Sequence, residues 1–240
     1  MVGRPESEDG LPARHGAAAS LRGSPMLTYE QRLNADLNWA LSEGSRFFEG
    51  NCSVQVAMRK IAKRLNDLRI PYVVVGTLAF FKHGYRRFTE EVELLVSEEG
   101  LRRIHEELDG FGYLPASQCS KHLRDADLGV KIKFLVEGQF AGDGKPNPVA
   151  FPNPQGASVE KDEIHYLVLP KLIELKLASG MIHSSRLRDL ADVFDAIQVL
   201  GLPKEFGDQL NPFVRSKFNE LWSEAQVPDP LEQGNYSRPD

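Results

Sequence analysis

Apolar residues recur along the chain at two periods, and the changes between them mark out its elements. From Tyr29 to Phe48 the spacing of Leu33, Leu37 and Leu41 predicts one amphipathic helix, opened by Thr28 and Gln31 at capping-box spacing. Residues 53–70 predict a second helix, with Ser53 as its N-cap and Val56, Ile61, Leu65 and Leu68 as its apolar stripe. The run from Pro71 to Gly76 is short, continuous and β-branched, as a buried strand is, and residues 77–85 fit one short helix after Gly76. Residues 91–96 read as the next strand, followed by a helix from a Ser97 cap to Gly110 or Gly112. Residues 129–138 alternate, with Val130, Ile132, Phe134 and Val136 on one face and Lys131, Lys133 and Leu135 on the other.

The remainder is richer in breakers. Residues 140–154 are loop by their Gly and Pro content, and residues 158–170 predict a hairpin. Pro170 opens a helix that Gly180 ends, and residues 185–200 and 211–225 predict two more. Strands and helices interleave in the middle of the chain while helices dominate its flanks. The fold class is therefore α/β (α+β): a core over residues 26–168 with a helical C-terminal part, 169–225, packed on it.

Composition narrows the classes of function. A formal net charge of −5 on 240 residues leaves no overall electrostatic footprint for nucleic acid. No apolar run approaches the roughly 20 residues that cross a bilayer. Two cysteines, Cys52 and Cys119, make neither a disulfide framework nor a metal cluster, which points to a reducing, cytoplasmic setting. Residues 1–25 lack an apolar stretch of the kind a secretory signal needs and read as a disordered tail, as do residues 226–240; Met26 is a candidate start.

The candidate chemistry lies around Gly76. A Gly directly after a strand allows a tight turn, and the helix behind it offers free N–H groups to a phosphate, with the Thr77 hydroxyl beside them. Glu91 and Glu93 stand two apart on the following strand and so share a face. They can hold a divalent ion, or they can pair with basic side chains on a neighbouring strand.

The order hydrophobic-Gly76-Thr77, thirteen residues, then Glu91-Val-Glu93-Leu resembles the signature of the DNA-polymerase-beta-like nucleotidyltransferase superfamily. The text from Ile70 to Val96, with His83, Gly84, Arg87 and Thr89, resembles its small prokaryotic members, including the minimal, abortive-infection and toxin–antitoxin types. Lys176 and the group Arg186, Arg188, Asp189 and Asp192 look like the downstream elements of the same proteins. The resemblance spans roughly residues 53–222. It implies a mixed sheet flanked by helices, with a nucleoside triphosphate bound at Gly76, Thr77, Arg87, Lys176, Arg186, Asp189 and Asp192. It also implies Mg²⁺ or Mn²⁺ on the strand carboxylates, and transfer of a nucleotidyl group to a hydroxyl of protein or RNA.

The metal positions depart from that pattern. The family implies aspartates where this chain has Glu91 and Glu93, and a third carboxylate where register places Lys133. A glutamate reaches on the order of 1.5 Å further than an aspartate, and Mg²⁺ tolerates misplaced ligands poorly. An ammonium repels the ion whose ligand it replaces. Glu91, Glu93 and Lys133 thus stand at the catalytic positions of a transferase whose activity is weakened or lost. The alternative is a non-catalytic protein that binds nucleotide or a partner, a helix-rich one by analogy with toxin–antitoxin pairs. His83 suits a structural role capping or packing the short helix better than proton transfer, and Arg86 beside Arg87 suits either surface or triphosphate. His105, His122, His165 and His183 share no spacing with Cys or carboxylates and are expected to do no chemistry.

Overall fold

The computed structural model describes residues 27–117 and 120–228. The tail at 1–25, the Met26 start, Cys119 and most of the C-terminal tail lie outside the described residues. The chain opens with α1 (Tyr29–Ala35), whose Thr28–Gln31 capping box forms as the spacing predicts. The single helix expected there is divided. Asp36 adopts an extended conformation, ends α1, and accepts from the Trp39 amide at 3.0 Å to cap α2 (Leu37–Glu49). That break resets the phase of the apolar stripe: Leu37 and Leu41 are 73% and 63% exposed, and Glu43 and Phe47 face inward instead.

In α3 (Ser53–Asp67) the N-cap is Cys52 rather than Ser53, and the Ser53 amide donates to Glu43 Oε2 at 2.8 Å. Its buried stripe is Val54, Ala57, Met58, Ile61 and Leu65, at helical spacing. Val56, expected in that stripe, is 39% exposed, and Leu68 is only partly buried, at the helix C-cap. At 3.6 residues per turn, Val56 points roughly opposite to the face that Ile61 and Leu65 define.

One seven-stranded sheet follows, built from β1 (Tyr72–Val74), β2 (Glu91–Val96), β3 (Tyr113–Pro115), β4 (His122–Asp125), β5 (Lys131–Val136), β6 (Ser158–Lys161) and β7 (Ile164–Leu167). The spatial order is β3-β4-β5-β2-β1-β7-β6, with β2–β5 and β1–β7 parallel and the other neighbours antiparallel. Strands β3 and β4 were not expected from the pattern. They are short, carry Pro115, His122 and Arg124, and hold their place by backbone pairing, β4 with β5 and β3 with β4.

Helices α4 (Gly76–His83) and α5 (Glu98–Leu108, capped by Ser97) match their expected positions. Alternation splits β2 and β5 into two faces. Val92, Leu94, Ile132 and Phe134 are buried in the core with α3 and α5, while Glu91, Glu93, Lys131 and Lys133 are turned the other way.

On the C-terminal side, α6 (Leu169–Ile182) contacts α4, α7 (Leu187–Leu200, preceded by a 3₁₀ turn at Ser184–Arg186) and α8 (Pro212–Ala225). Gly180 does not end α6, contrary to expectation. A Cβ there would lie 2.6 Å from Leu190 Cγ, so the glycine is where α7 crosses closely. One apolar core runs from α2 and α3 through the sheet to α6, α7 and α8. No helix among the described residues is long and apolar enough to cross a membrane.

Candidate functional site

A cleft of about 1370 Å³ opens against the charged face of β2 and β5 and reaches the helical C-terminal part. Gly76, Thr77, Arg87, Glu91, Glu93, Lys133, Lys176, Arg186 and Asp189 all line it. Asp192, the remaining sequence candidate, lies beneath it, 2% exposed.

Local folding explains the assembly. Strand β1 ends at Val74, the Val75 amide donates to the Glu93 carbonyl, and Gly76 turns with φ +63°, a conformation that suits glycine. A side chain at Gly76 would collide with the Glu93 carboxylate, whose Cδ would lie 3.1 Å from the new carbon. The start of α4 is thus already covered by a carboxylate of the chain itself.

The parallel β2–β5 register sets Glu91 against Lys131 and Glu93 against Lys133. Both pairs close: Lys133 Nζ donates to Glu93 Oε1 at 2.7 Å, and Lys131 Nζ lies 3.2 Å from Glu91 Oε2. Burial pushes the Glu93 carboxyl up, but Lys133 and Lys176 outweigh it and hold it below the ordinary carboxylate value. Strand β4 extends the rungs, with His122 opposite Lys133 and Arg124 opposite Lys131; Arg124 also pairs with Glu30 at 2.8 Å.

A second network joins the helical part to α4. Lys176 Nζ donates to Asp189 Oδ1 at 2.5 Å and to Asp192 Oδ2 at 2.9 Å, and the Ser179 hydroxyl donates to Asp189 Oδ2 at 2.6 Å. Arg87 donates to Asp192 Oδ2 and to the Thr77 hydroxyl, each at 2.9 Å. Burial lowers the Lys176 ammonium, but Asp189, Asp192 and Glu93 more than reverse it and raise it above its usual value. Burial likewise raises the Asp189 carboxyl, and Lys176 and Ser179 bring it below. Arg186 is exposed at the rim of the cleft and makes no ion pair among the described residues.

The His83 Nε2 atom lies 2.8 Å from the Leu167 carbonyl, tying α4 to the end of β7, a structural contact. His122, set aside on spacing, lines the cleft, and burial followed by Lys131 and Lys133 keeps its ring below the usual histidine range. Its strand is four residues of mixed polarity, which is why no pattern announced it. Glu30 also lines the cleft, paired with Arg124, without any warning in the sequence.

The carboxylates do not fit Mg²⁺ or Mn²⁺ as they stand. Glu91 and Glu93 are each held by a lysine, and the third strand position is itself a lysine. Among the described residues no group of three or more His, Cys, Asp or Glu is placed to hold a metal. A divalent ion that wants near-octahedral oxygen ligands finds two engaged carboxylates and a cation.

Neither a family model nor a curated protein matches the chain. Among solved structures, TM1012 from Thermotoga maritima, provisionally named a nucleotidyltransferase, is 20% identical with a TM-score of 0.39, covering 57% of this chain and 91% of that one. JHP933 from Helicobacter pylori is 15% identical with a TM-score of 0.41, over 72% of this chain and 89% of that one. A second H. pylori protein, also provisionally named a nucleotidyltransferase, is 16% identical with a TM-score of 0.36, over 70% and 90% of the two chains. These are distant likenesses.

Proposed function

We propose that this chain is a nucleotidyltransferase-type protein that keeps the nucleotide cleft and has weakened or lost the transfer chemistry. Support for the cleft comes from the motif order around Gly76 and Thr77 and from the gathering of Arg87, Lys176, Arg186 and Asp189 on one cavity. The observation that carries the loss is the Lys133–Glu93 ion pair at 2.7 Å, where a metal-dependent transferase needs free carboxylates. In this reading a nucleoside triphosphate binds with its phosphates toward Thr77 and Lys176. The setting is cytoplasmic and of the toxin–antitoxin kind, with a helix-rich protein partner.

A second reading, residual transfer to a hydroxyl of protein or RNA with Mg²⁺ or Mn²⁺, is favoured by the Lys176–Asp189–Asp192 network, which is complete. In it the acceptor oxygen would bond the α-phosphorus and pyrophosphate would leave. Both readings meet in one experiment. The chain and its Glu91→Asp/Glu93→Asp/Lys133→Glu variant are incubated with each of four radiolabelled nucleoside triphosphates, divalent metal and candidate acceptors. Label transfer by the variant alone supports loss of the chemistry, and transfer by the unmodified chain as well supports residual activity.

A further inference from the structure

The misfit of the metal positions has a positive side. Lys133 puts an ammonium where a transferase of this type would need a carboxylate to hold its ion, and the group it bonds, Glu93, is an anion seated against the Gly76 turn. The site thus contains its own cation and, at rest, its own anion. Lys176 stands on the other side of Glu93, close enough to lower its carboxyl, and is itself held by Asp189 and Asp192.

We infer that the cleft takes its polyphosphate as the metal-free anion, which displaces the Glu93 carboxylate from Lys133 and from the Gly76 turn. The inference rests on the nucleotide-cleft reading above and adds to it that no divalent ion takes part in binding. Physically, the incoming phosphate oxygen replaces the carboxylate as the anionic partner of Lys133, so the ammonium is never left bare in a part-buried site. Glu93 then turns outward into a cleft wide enough to accept it; its side chain is already 20% exposed. Bound Mg²⁺ on the phosphates would work against this exchange, since it would approach Lys133 with like charge.

The test is calorimetric titration of the full chain with ATP and with inorganic tripolyphosphate, each in EDTA and in excess Mg²⁺. It is repeated on Glu93→Gln and Lys133→Met, with melting curves to confirm that both variants are folded. Expected is binding of both ligands in EDTA at least as tight as in Mg²⁺. Glu93→Gln should tighten by about tenfold through loss of the competing anion, and Lys133→Met should weaken by a similar factor. Binding that requires Mg²⁺, or that Glu93→Gln abolishes, overturns the metal-free exchange and leaves nucleotide binding standing. Absence of binding by the unmodified chain under both conditions overturns the nucleotide-cleft reading, and the inference with it. Should Lys133→Met fail to fold, the Glu93→Gln arm and the EDTA comparison decide alone.

Discussion

Asp192 serves two cations at once, Lys176 on α6 and Arg87 in the segment before β2, and is buried beneath both. Removing its charge leaves Arg87 without an acidic partner and Lys176 with Asp189 alone, in a part-buried site. Asp192→Asn should lower stability by about 2–4 kcal/mol, read from urea denaturation midpoints at unchanged m-value. Lys133 and Glu93 allow a finer measurement, because either partner can be neutralised. Lys133→Met should destabilise by roughly 1–2 kcal/mol by leaving Glu93 unpaired, and adding Glu93→Gln should restore most of it. A double-mutant cycle with no coupling would mean the pair contributes nothing to the fold. How much of this was legible differs by residue. Period-2 alternation alone places Glu91 with Glu93 and Lys131 with Lys133, but nothing in that pattern shows that the two strands lie side by side. Glu43 was not legible. A charged residue on an amphipathic helix reads as surface, yet here it is buried because the Tyr29 hydroxyl and the Ser53 amide both donate to it.

At the scale of elements, the long periodic helices and the β-branched strands were readable because burial enforces their period. Boundaries set by a single polar side chain were not. Asp36 splits one expected helix in two, and Gly180 passes as a helix stop when its reason is the passage of α7. Strands β3 and β4 escaped because an edge hairpin can be polar on much of its surface and still be held by backbone pairing. The β6–β7 turn offers a test of local strain. Asp162 and Glu163 have φ of 54° and 61°, a left-handed pair with no glycine. The Glu163 carbonyl accepts from Asn66 and the Asp162 carboxylate pairs with Lys82, so the turn is held from outside. Glu163→Gly retains both contacts and should raise stability by about 0.5–1 kcal/mol, seen as a higher thermal midpoint. An unchanged or lowered midpoint would show the strain to be already relieved.

For the molecule as a whole, the two charged networks predict the direction of its pH response. Glu93 and Asp189 are held below their usual values of 4.5 and 3.8, so each contributes stability that is fully present above those values. That stability is lost as pH falls through the lower folded-state values. Lys176 is held above 10.5, and its contribution is lost only as pH rises past that. Between pH 6 and pH 9 the melting temperature should therefore change little on account of these groups, and below about pH 4.5 it should fall. Glu93→Gln should flatten the acid limb; an unchanged acid limb would exclude Glu93 as a source of it. The Glu–Lys rungs also act in assembly. Parallel strands can slide by two residues and keep every side chain on its proper face. Moving β5 by two residues toward β2 in one sense sets Glu93 against Leu135, and in the other sets Lys133 against Leu95. Each misaligned sheet leaves a charge facing hydrocarbon, whereas the native one matches both acids to both bases. The ladder is therefore a vernier for strand alignment, a reason for this chain to carry paired acids and lysines whatever becomes of the chemistry beside them.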